Sequence, residues 1–174
     1  GRGNLSFTSI NLPRLAIKAN HDIDKFFESL DYYMNLTIEQ LMHRYNIQAQ
    51  KRVRNFPFLM GQGVWIDSDK LSIDDRVGEV LKHGTLSVGF IGLAETLKAL
   101  TGYHHGESEE ARKLGLEIVT RMRKRVDEEC EKTGLNFSLL ATPAEGLSGR
   151  FVKMDAEKFG IIKGVTDREY YTNS

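Results

Sequence analysis

The chain has 174 residues, of which 40% are hydrophobic and 28% are charged, so it can bury the core of one globular domain. It carries 24 basic and 24 acidic side chains, a balance that argues against nucleic acid or an anionic membrane surface as its partner. A single cysteine excludes an internal disulfide framework, no apolar stretch reaches the roughly 20 residues of a membrane span, and a reducing, cytoplasmic location is expected.

The first part of the chain predicts one strand and one long helix. Residues 5–12, LSFTSINL, mix β-branched and apolar residues in a strand-like alternation, and Pro13 should end any ladder pairing. From Asp22 to about Gln50, apolar residues recur at three- and four-residue steps, which is typical of an amphipathic helix with Asn20 or Asp22 as its cap.

The middle of the chain predicts a loop and a short helix. Residues 53–65, VRNFPFLMGQGVW, contain one Pro and two Gly that break any period, so they predict an ordered loop. Ser72 stands three residues before Asp75, as in a capping box, and this predicts a short helix that ends near Gly84.

The second half of the chain alternates strand and helix signals. TLSVGFIG at 85–92 predicts a buried strand, and the apolar stripe of residues 93–100 predicts a short helix directly after it. A long helix is expected over 108–133, because its apolar stripe is regular and Gly134 follows it. LNFSLLA at 135–141 predicts a third strand that leads into another helix. Three strands separated by helices predict an α/β fold with largely parallel strands.

The turn Thr142-Pro143-Ala144-Glu145 is the clearest candidate site. Thr at the cap, Pro at the first helical position and Glu three residues beyond the cap are typical of a helix start. The amino end of a helix that follows a strand also binds phosphates, because its N–H groups are free and its dipole is positive. The Glu145 carboxylate can itself neutralise that end, so the local pattern alone favours plain capping.

Three further places have a functional and a structural interpretation. In Gly1-Arg2-Gly3-Asn4, the amide of Asn4 suits the vicinal hydroxyls of a sugar, although a turn-forming Asn is the commoner case. Residues 61–65 contain two glycines but no phosphate-loop Lys, which favours a compact turn. Cys130 lies on the apolar stripe of the long helix and is interpreted as a buried, inert thiol.

The five histidines show no metal-ligand spacing, so no metal site is expected.

Four segments together resemble one enzyme family. They are GRGNLSFTSINLPRLAI, SVGFIGLAETLKAL, ATPAEGLSGRF and REYYTNS, and they occur in this order along the whole chain. In order and separation they resemble the carboxyl-side half of the catalytic barrel of the anaerobic ribonucleoside-triphosphate reductases, which are glycyl radical enzymes.

The resemblance implies a ten-stranded α/β barrel made of two half-sheets, with a cysteine at the tip of a finger loop. A glycyl radical implied near the carboxyl terminus generates a thiyl radical on that cysteine. The thiyl then takes the 3′ hydrogen of a ribonucleoside triphosphate, the 2′ hydroxyl leaves as water, and a reductant, formate in many members, supplies the electrons. The resemblance further implies an activating partner, an iron–sulfur protein that uses S-adenosylmethionine, and a homodimeric enzyme.

The resemblance also assigns site residues. Asn4 matches the asparagine of the family's GRxN segment, which lies close to the substrate ribose. Thr142, Ala144, Glu145 and Gly146 match the turn where the substrate phosphates meet a helix amino end, with Glu145 near the reacting centre. Related members can carry Tyr where this chain has Leu140, so the role of that hydroxyl is not transferred.

Several parts that the resemblance implies are expected outside this sequence. The thiyl cysteine should precede Gly1, and the glycyl radical segment with its four-cysteine zinc site should follow Ser174. The amino-terminal regulatory domain is also expected elsewhere. Residues 1–174 are therefore predicted to be one domain, a fragment of the barrel with no cofactor of its own, which reduces no nucleotide by itself.

Two alternatives belong to other classes. A free-standing nucleotide-binding or interaction module would bind triphosphates or a protein without radical chemistry, but a half-barrel with uncovered strand edges is a poor scaffold for it. A glycyl radical enzyme that acts on a keto acid or a diol is the enzymatic alternative, and the GLAE and TPAE segments argue against it.

Overall fold

A computed structural model describes residues 4–50 and 84–172 of the chain. Strands and helices alternate in these two ranges. In chain order the elements are β1 (Asn4–Asn11), α1 (Leu12–Ala19), α2 (Ile23–Gln50), β2 (Thr85–Ile91), α3 (Leu93–Thr101), α4 (Glu109–Thr133), β3 (Asn136–Ala141) and α5 (Glu145–Phe159). This order confirms the predicted α/β fold.

The three described strands form one sheet in the order β1-β2-β3, and both neighbouring pairs are parallel. In the middle of the sheet Val88 pairs with Thr8 on one side and with Leu139 on the other. Parallel neighbours need long crossover connections, which here contain α1 and α2 between the first two strands and α3 and α4 between the last two. The carboxyl ends of all three strands therefore meet at one edge of the sheet.

The sheet has one apolar and one polar face. Leu86, Val88 and Phe90 of β2 belong to the main apolar core, which they share with residues of α1, α2, α3 and α4. Side chains alternate across a strand, so Ser87 and Gly89 lie on the opposite face. The helices thus cover the apolar face. The opposite face, which we call the polar face, carries the hydroxyls of Ser9, Ser87 and Ser138 together with some apolar side chains such as Phe7 and Ile91.

Two of the predicted helix ends are confirmed. The Asp22 carboxylate accepts a hydrogen bond of 3.0 Å from the backbone N–H of Lys25, as expected of a cap for α2. Ser108 caps α4 in the same way, and Gly134 follows α4 in the left-handed conformation. The cap of α2 and the glycine after α4 are therefore two helix ends that the local sequence indicates.

Helix α1 is not predicted from the sequence, in which Pro13 indicates only the end of the strand. Pro13 instead stands in the first turn of α1, where its missing N–H breaks no intrahelical bond. The Asn11 side chain accepts from the N–H of Arg14 at 3.2 Å and caps this helix. Strand β1 thus passes directly into a helix at the carboxyl edge of the sheet.

Some predictions lie outside the described residues, namely the loop at 53–65 and the short helix beginning at Ser72. Residues 1–3 of the GRGN segment also lie outside them. Within the ranges that the structure does describe, none of the helices combines the length and the apolar character needed to cross a bilayer.

Candidate functional site

The candidate site lies where the polar face of the sheet reaches its carboxyl edge. The Ser9 and Thr142 hydroxyls form a hydrogen bond of 2.7 Å that crosses over β2 at Gly89. A Cβ at Gly89 would overlap Thr142 Oγ1 and come within 2.9 Å of Ser9 Oγ, so a glycine is needed between the two. Thr142 is fully buried, and its backbone N–H also donates to the Phe90 carbonyl at 2.9 Å. The connection from β3 to α5 is therefore fixed to the other two strands.

The predicted capping box at the start of α5 is wrong. The helix begins at Glu145, its N-cap is Ala144, and no side chain caps it. The Thr142 hydroxyl is unavailable for capping because it bonds to Ser9. The Glu145 side chain is exposed and forms no hydrogen bond or ion pair with any residue of the described ranges. Capping alone therefore does not explain the TPAE turn.

The amino end of α5 differs from those of the other two helices that directly follow strands. Asn11 caps α1. The turn before α3 is covered by Thr172, whose carbonyl accepts a hydrogen bond of 2.8 Å from Gly92 N–H. Among the strand-following helices in residues 4–50 and 84–172, α5 is the one whose amino end has neither a side-chain cap nor such a covering residue. The first N–H groups of a helix have no intrahelical acceptor and attract anions.

The site residues predicted from the sequence fall into two groups. Thr142, Ala144, Glu145 and Gly146 are brought together in the turn before and at the start of α5. Gly146 is exposed, and a Cβ there would meet no atom within 4 Å. A ligand can therefore approach the backbone at Gly146 without steric hindrance.

Asn4 lies far from this turn, at the other end of the sheet. It pairs with Thr85, and Thr85 pairs with Asn136, whereas Thr142 lies six residues beyond Asn136. At about 3.3 Å per residue the separation along the strands is about 20 Å. The pairing of β1 with β2 shifts register between Asn4 and Ser6, as in a β-bulge. Asn4 therefore pairs with Thr85, although Ser6, two residues later, pairs with the next residue, Leu86. The structure does not bring Asn4 and Glu145 together.

Two buried carboxylates near the same edge were not singled out from the sequence. Glu95, the third residue of α3, is fully buried and accepts from Arg168 Nη1 at 2.6 Å and from the Thr172 hydroxyl at 2.9 Å. Asp155 of α5 is equally buried and accepts from the Tyr171 hydroxyl at 2.8 Å. The REYYTNS segment is thus attached to two helices. A sequence signal for Asp155 existed, because it shares a helical stripe with Ser148 and Val152, which are also buried.

Cys130 lies away from the candidate site. Its Sγ is 3.3 Å from both the backbone N and the carbonyl O of Phe137, a residue of the apolar core. This places the thiol on the side of the sheet that the helices cover. In the part of the chain that the structure describes, no cluster of three or more His, Cys, Asp or Glu side chains is arranged to hold a metal ion.

The fold and the site define a class of protein. A parallel sheet with helices on its apolar face, and an uncapped helix start beyond the carboxyl end of a strand, is typical of the α/β proteins that bind ligands at that edge. Residues 1–174 match the family model of the anaerobic ribonucleoside-triphosphate reductases, so the match covers the entire chain. The chain belongs to the anaerobic ribonucleoside-triphosphate reductase family.

Relatives and solved structures agree with this assignment. The chain is 41% identical over 177 residues to the anaerobic ribonucleoside-triphosphate reductase of Salmonella typhimurium and, over the same length, to that of Escherichia coli. All of this chain is covered in both cases but only 25% of each relative, so the chain spans about a quarter of their length.

The fold is that of a solved member of the family. The Thermotoga maritima anaerobic ribonucleotide reductase with glycerol in the active site superposes with a TM-score of 0.74 at 18% identity, over 99% of this chain and 26% of that one. The same enzyme in complex with dATP and CTP gives a TM-score of 0.73, over 99% of this chain and 27% of that one. The three strands described here thus form part of an anaerobic ribonucleotide reductase barrel.

Proposed function

We propose that this chain forms part of the catalytic barrel of an enzyme that reduces ribonucleoside triphosphates to deoxyribonucleoside triphosphates. We also propose that the amino end of α5 binds the substrate phosphates. The second proposal rests on the start of α5 beyond β3, which no side chain caps. The Thr142 hydroxyl is hydrogen-bonded to Ser9, and the Glu145 side chain has no partner among the described residues. Free N–H groups and the helix dipole attract phosphate.

The proposed site has two ends. Thr142, Ala144 and Gly146 are proposed to contact phosphate, and Glu145 is proposed to lie beside the phosphates rather than at the ribose carbons that react. Asn4 is proposed to orient the ribose hydroxyls, because a neutral amide can donate to one hydroxyl and accept from another. One ribose ring is too small to bridge about 20 Å. In this arrangement Asn4 and Glu145 therefore contact different parts of the nucleotide.

The radical chemistry is expected to come from other parts of the enzyme. The family implies a glycyl radical, which when present supplies the unpaired electron for removal of the 3′ hydrogen. The residues of this chain contribute binding and orientation on the polar face of the sheet. Family membership is the basis for four further proposals: the partner that installs the radical, formate as reductant, the zinc site and the homodimer. A cytoplasmic location is proposed from the low cysteine content.

A charge at Gly146 should separate phosphate binding from helix stability. In the full-length reductase, Gly146→Glu is expected to raise the KM for a ribonucleoside triphosphate about tenfold, which corresponds to about 1.4 kcal/mol. The new carboxylate would repel phosphate, yet an acidic residue in the first turn should stabilise α5 by about 0.3–1 kcal/mol. The KM is measured in an anaerobic turnover assay with the activating protein, and stability by urea denaturation.

Gly146→Gln is the matched control, since it has the same size without the charge and Cβ meets no atom within 4 Å. Its KM should stay within about threefold of the unsubstituted enzyme, because the phosphate-binding N–H groups remain and no charge opposes the ligand. Equal KM values for the Glu and Gln variants would show that phosphate does not bind at this turn.

Cys130 should be dispensable for turnover. Cys130→Ser in the full-length enzyme is expected to change kcat by less than about twofold, because the thiol only bonds to the Phe137 backbone on the helix-covered side of the sheet. The rate of deoxyribonucleotide formation under anaerobic conditions checks this. An inactive variant that retains the circular dichroism spectrum of the folded enzyme would assign Cys130 a part in the chemistry.

A further inference from the structure

Asp155 is a fully buried carboxylate with three side-chain donors from three separate parts of the fold. Its Oδ2 accepts from Asn11 Nδ2 at 2.9 Å and from the Tyr171 hydroxyl at 2.8 Å. Its Oδ1 accepts from Arg14 Nε at 2.7 Å. A buried carboxylate is costly unless it is paired and hydrogen-bonded, and Asp155 meets both conditions.

These bonds connect α5 to the end of strand β1. Ser9 and Asn11 are alternate residues of β1 and lie on the same face of the sheet. Ser9 holds Thr142, just before α5, and Asn11 holds Asp155, ten residues after the helix begins. Strand β1 therefore contacts the turn that precedes α5, through Thr142, and the body of α5, through Asp155. The first contact sets where the helix starts, and the contact at Asp155 sets the direction in which the helix runs from that start.

Apolar packing contributes less to the placement of α5 than to that of the other helices. Among the residues described, the main core draws its buried members from the strands and from α1 to α4. Helix α5 instead supplies Val152 to a smaller buried cluster with Ile91, Val165 and Tyr171, against which Leu147 and Phe151 of α5 pack while only partly buried. Apolar contacts are not directional, whereas hydrogen bonds to a buried carboxylate are. The orientation of α5 thus depends strongly on Asp155.

We infer that Asp155 is a positioning residue, which sets the direction of α5 so that the amino end of this helix faces the substrate phosphates. The inference rests on the proposed phosphate site. Asp155 is fully buried and ten residues from the first turn of α5, so it acts through the helix rather than on the nucleotide. A change of helix direction moves all the free N–H groups of the first turn together.

The geometry of Tyr171 supports this role. Burial, and then the hydrogen bond to Asp155, raise the pKa of the Tyr171 hydroxyl far above its ordinary value. The hydroxyl therefore stays protonated and continues to donate to Asp155 at any pH at which the enzyme works. Its ring is fully buried in the small cluster beside Val152.

The test is Asp155→Asn in the full-length reductase, assayed anaerobically with the activating protein and a ribonucleoside triphosphate. The amide keeps the size of the side chain but loses the charge and one acceptor oxygen. We expect the KM to rise about tenfold and kcat to change by less than about twofold, because displaced phosphate donors weaken substrate and transition-state binding alike. An unchanged KM with a lower kcat would overturn the inference, since that result indicates only a smaller folded fraction.

Glu129→Gln is the matched control. Glu129 is also a buried carboxylate paired with an arginine, at 3.1 Å from Arg125 Nη1, but it lies on α4 and makes no bond to α5. The KM of the Glu129→Gln variant should be unchanged.

If Asp155→Asn fails to fold, Tyr171→Phe serves in its place, because it removes one donor and keeps the buried ring. That variant should raise the KM about threefold, as expected for loss of one hydrogen bond worth about 0.5–1.5 kcal/mol, and an unchanged KM would overturn the inference.

The outcomes separate the two proposals. A raised KM in Gly146→Glu but not in Asp155→Asn leaves the phosphate site standing and rejects the role of Asp155. A normal KM in both variants rejects the phosphate site, and the positioning role with it.

Discussion

Glu95→Ala is expected to lower the free energy of unfolding by about 3 kcal/mol. The Glu95 carboxylate is fully buried and accepts three hydrogen bonds, one from Arg168 Nη1 at 2.6 Å and two from the backbone and hydroxyl of Thr172. Truncation leaves these donors without their acceptor. Arg168 is partly exposed, so water can hydrate its guanidinium once Glu95 is removed. The expected loss of stability therefore lies at the lower end of the range for breaking a buried ion pair.

Glu109→Ala is the matched control for this substitution. Glu95 and Glu109 both stand in the first turn of a helix, and each is paired with an arginine. They differ in burial, since the Glu109 side chain is 64% exposed and that of Glu95 is 0% exposed. Exposed ion pairs are screened by water and contribute little to stability, so Glu109→Ala should lower the free energy of unfolding far less than Glu95→Ala does. Urea denaturation of the two variants measures the difference.

Hydrogen exchange tests the structural part of the same prediction. Glu95 is one of the two carboxylates that attach the REYYTNS segment, so its loss should increase amide exchange in residues 165–172 more than in strand β2. Thr172 N–H loses its acceptor directly. A uniform increase over the whole protein would contradict a local attachment and indicate global destabilisation only.

The strands and the long helices could be predicted from the sequence because their signals are local. Periodicity places α2 and α4 within one residue of their observed starts, and Gly134 after α4 is a left-handed cap as expected. Parallel pairing followed from the alternation of strands and helices. Helix α1 was not foreseen because the same Pro13 that cannot join a ladder is well suited to a first helical turn.

The site was only partly predictable, since its decisive contacts join residues that are far apart in sequence. The hydrogen bond between Ser9 and Thr142 spans 133 positions, and no local pattern announces it. This bond removes the hydroxyl that the capping box required, so α5 starts two residues later than its TPAE turn suggests. The buried roles of Glu95 and Asp155 likewise depend on partners from the carboxyl-terminal segment. The family resemblance predicts a site at this turn, and contacts with distant residues determine how the turn is built.

Gly89→Ala is expected to destabilise the protein by about 2–3 kcal/mol. Strand propensity alone predicts a gain, because glycine is unfavourable inside a strand. The close approach of neighbouring atoms predicts a loss. The added Cβ would overlap Thr142 Oγ1, come within 2.9 Å of Ser9 Oγ and within 3.1 Å of Phe7 Cε2. A methyl group has no rotamer with which to avoid them, so the Ser9–Thr142 bond must break or the strands must separate.

A double-mutant cycle with Thr142→Ala shows which effect dominates. Thr142→Ala removes the hydroxyl nearest to the new methyl group, so Gly89→Ala should cost at least about 1 kcal/mol less in that background. Free energies of unfolding from urea denaturation of the four proteins give this coupling. Additive costs would mean that Gly89 is not required for the passage of the Ser9–Thr142 bond across β2. A strong coupling would instead explain why the central strand, the most buried of the three, has a glycine at the point where the turn before α5 is hydrogen-bonded to the sheet.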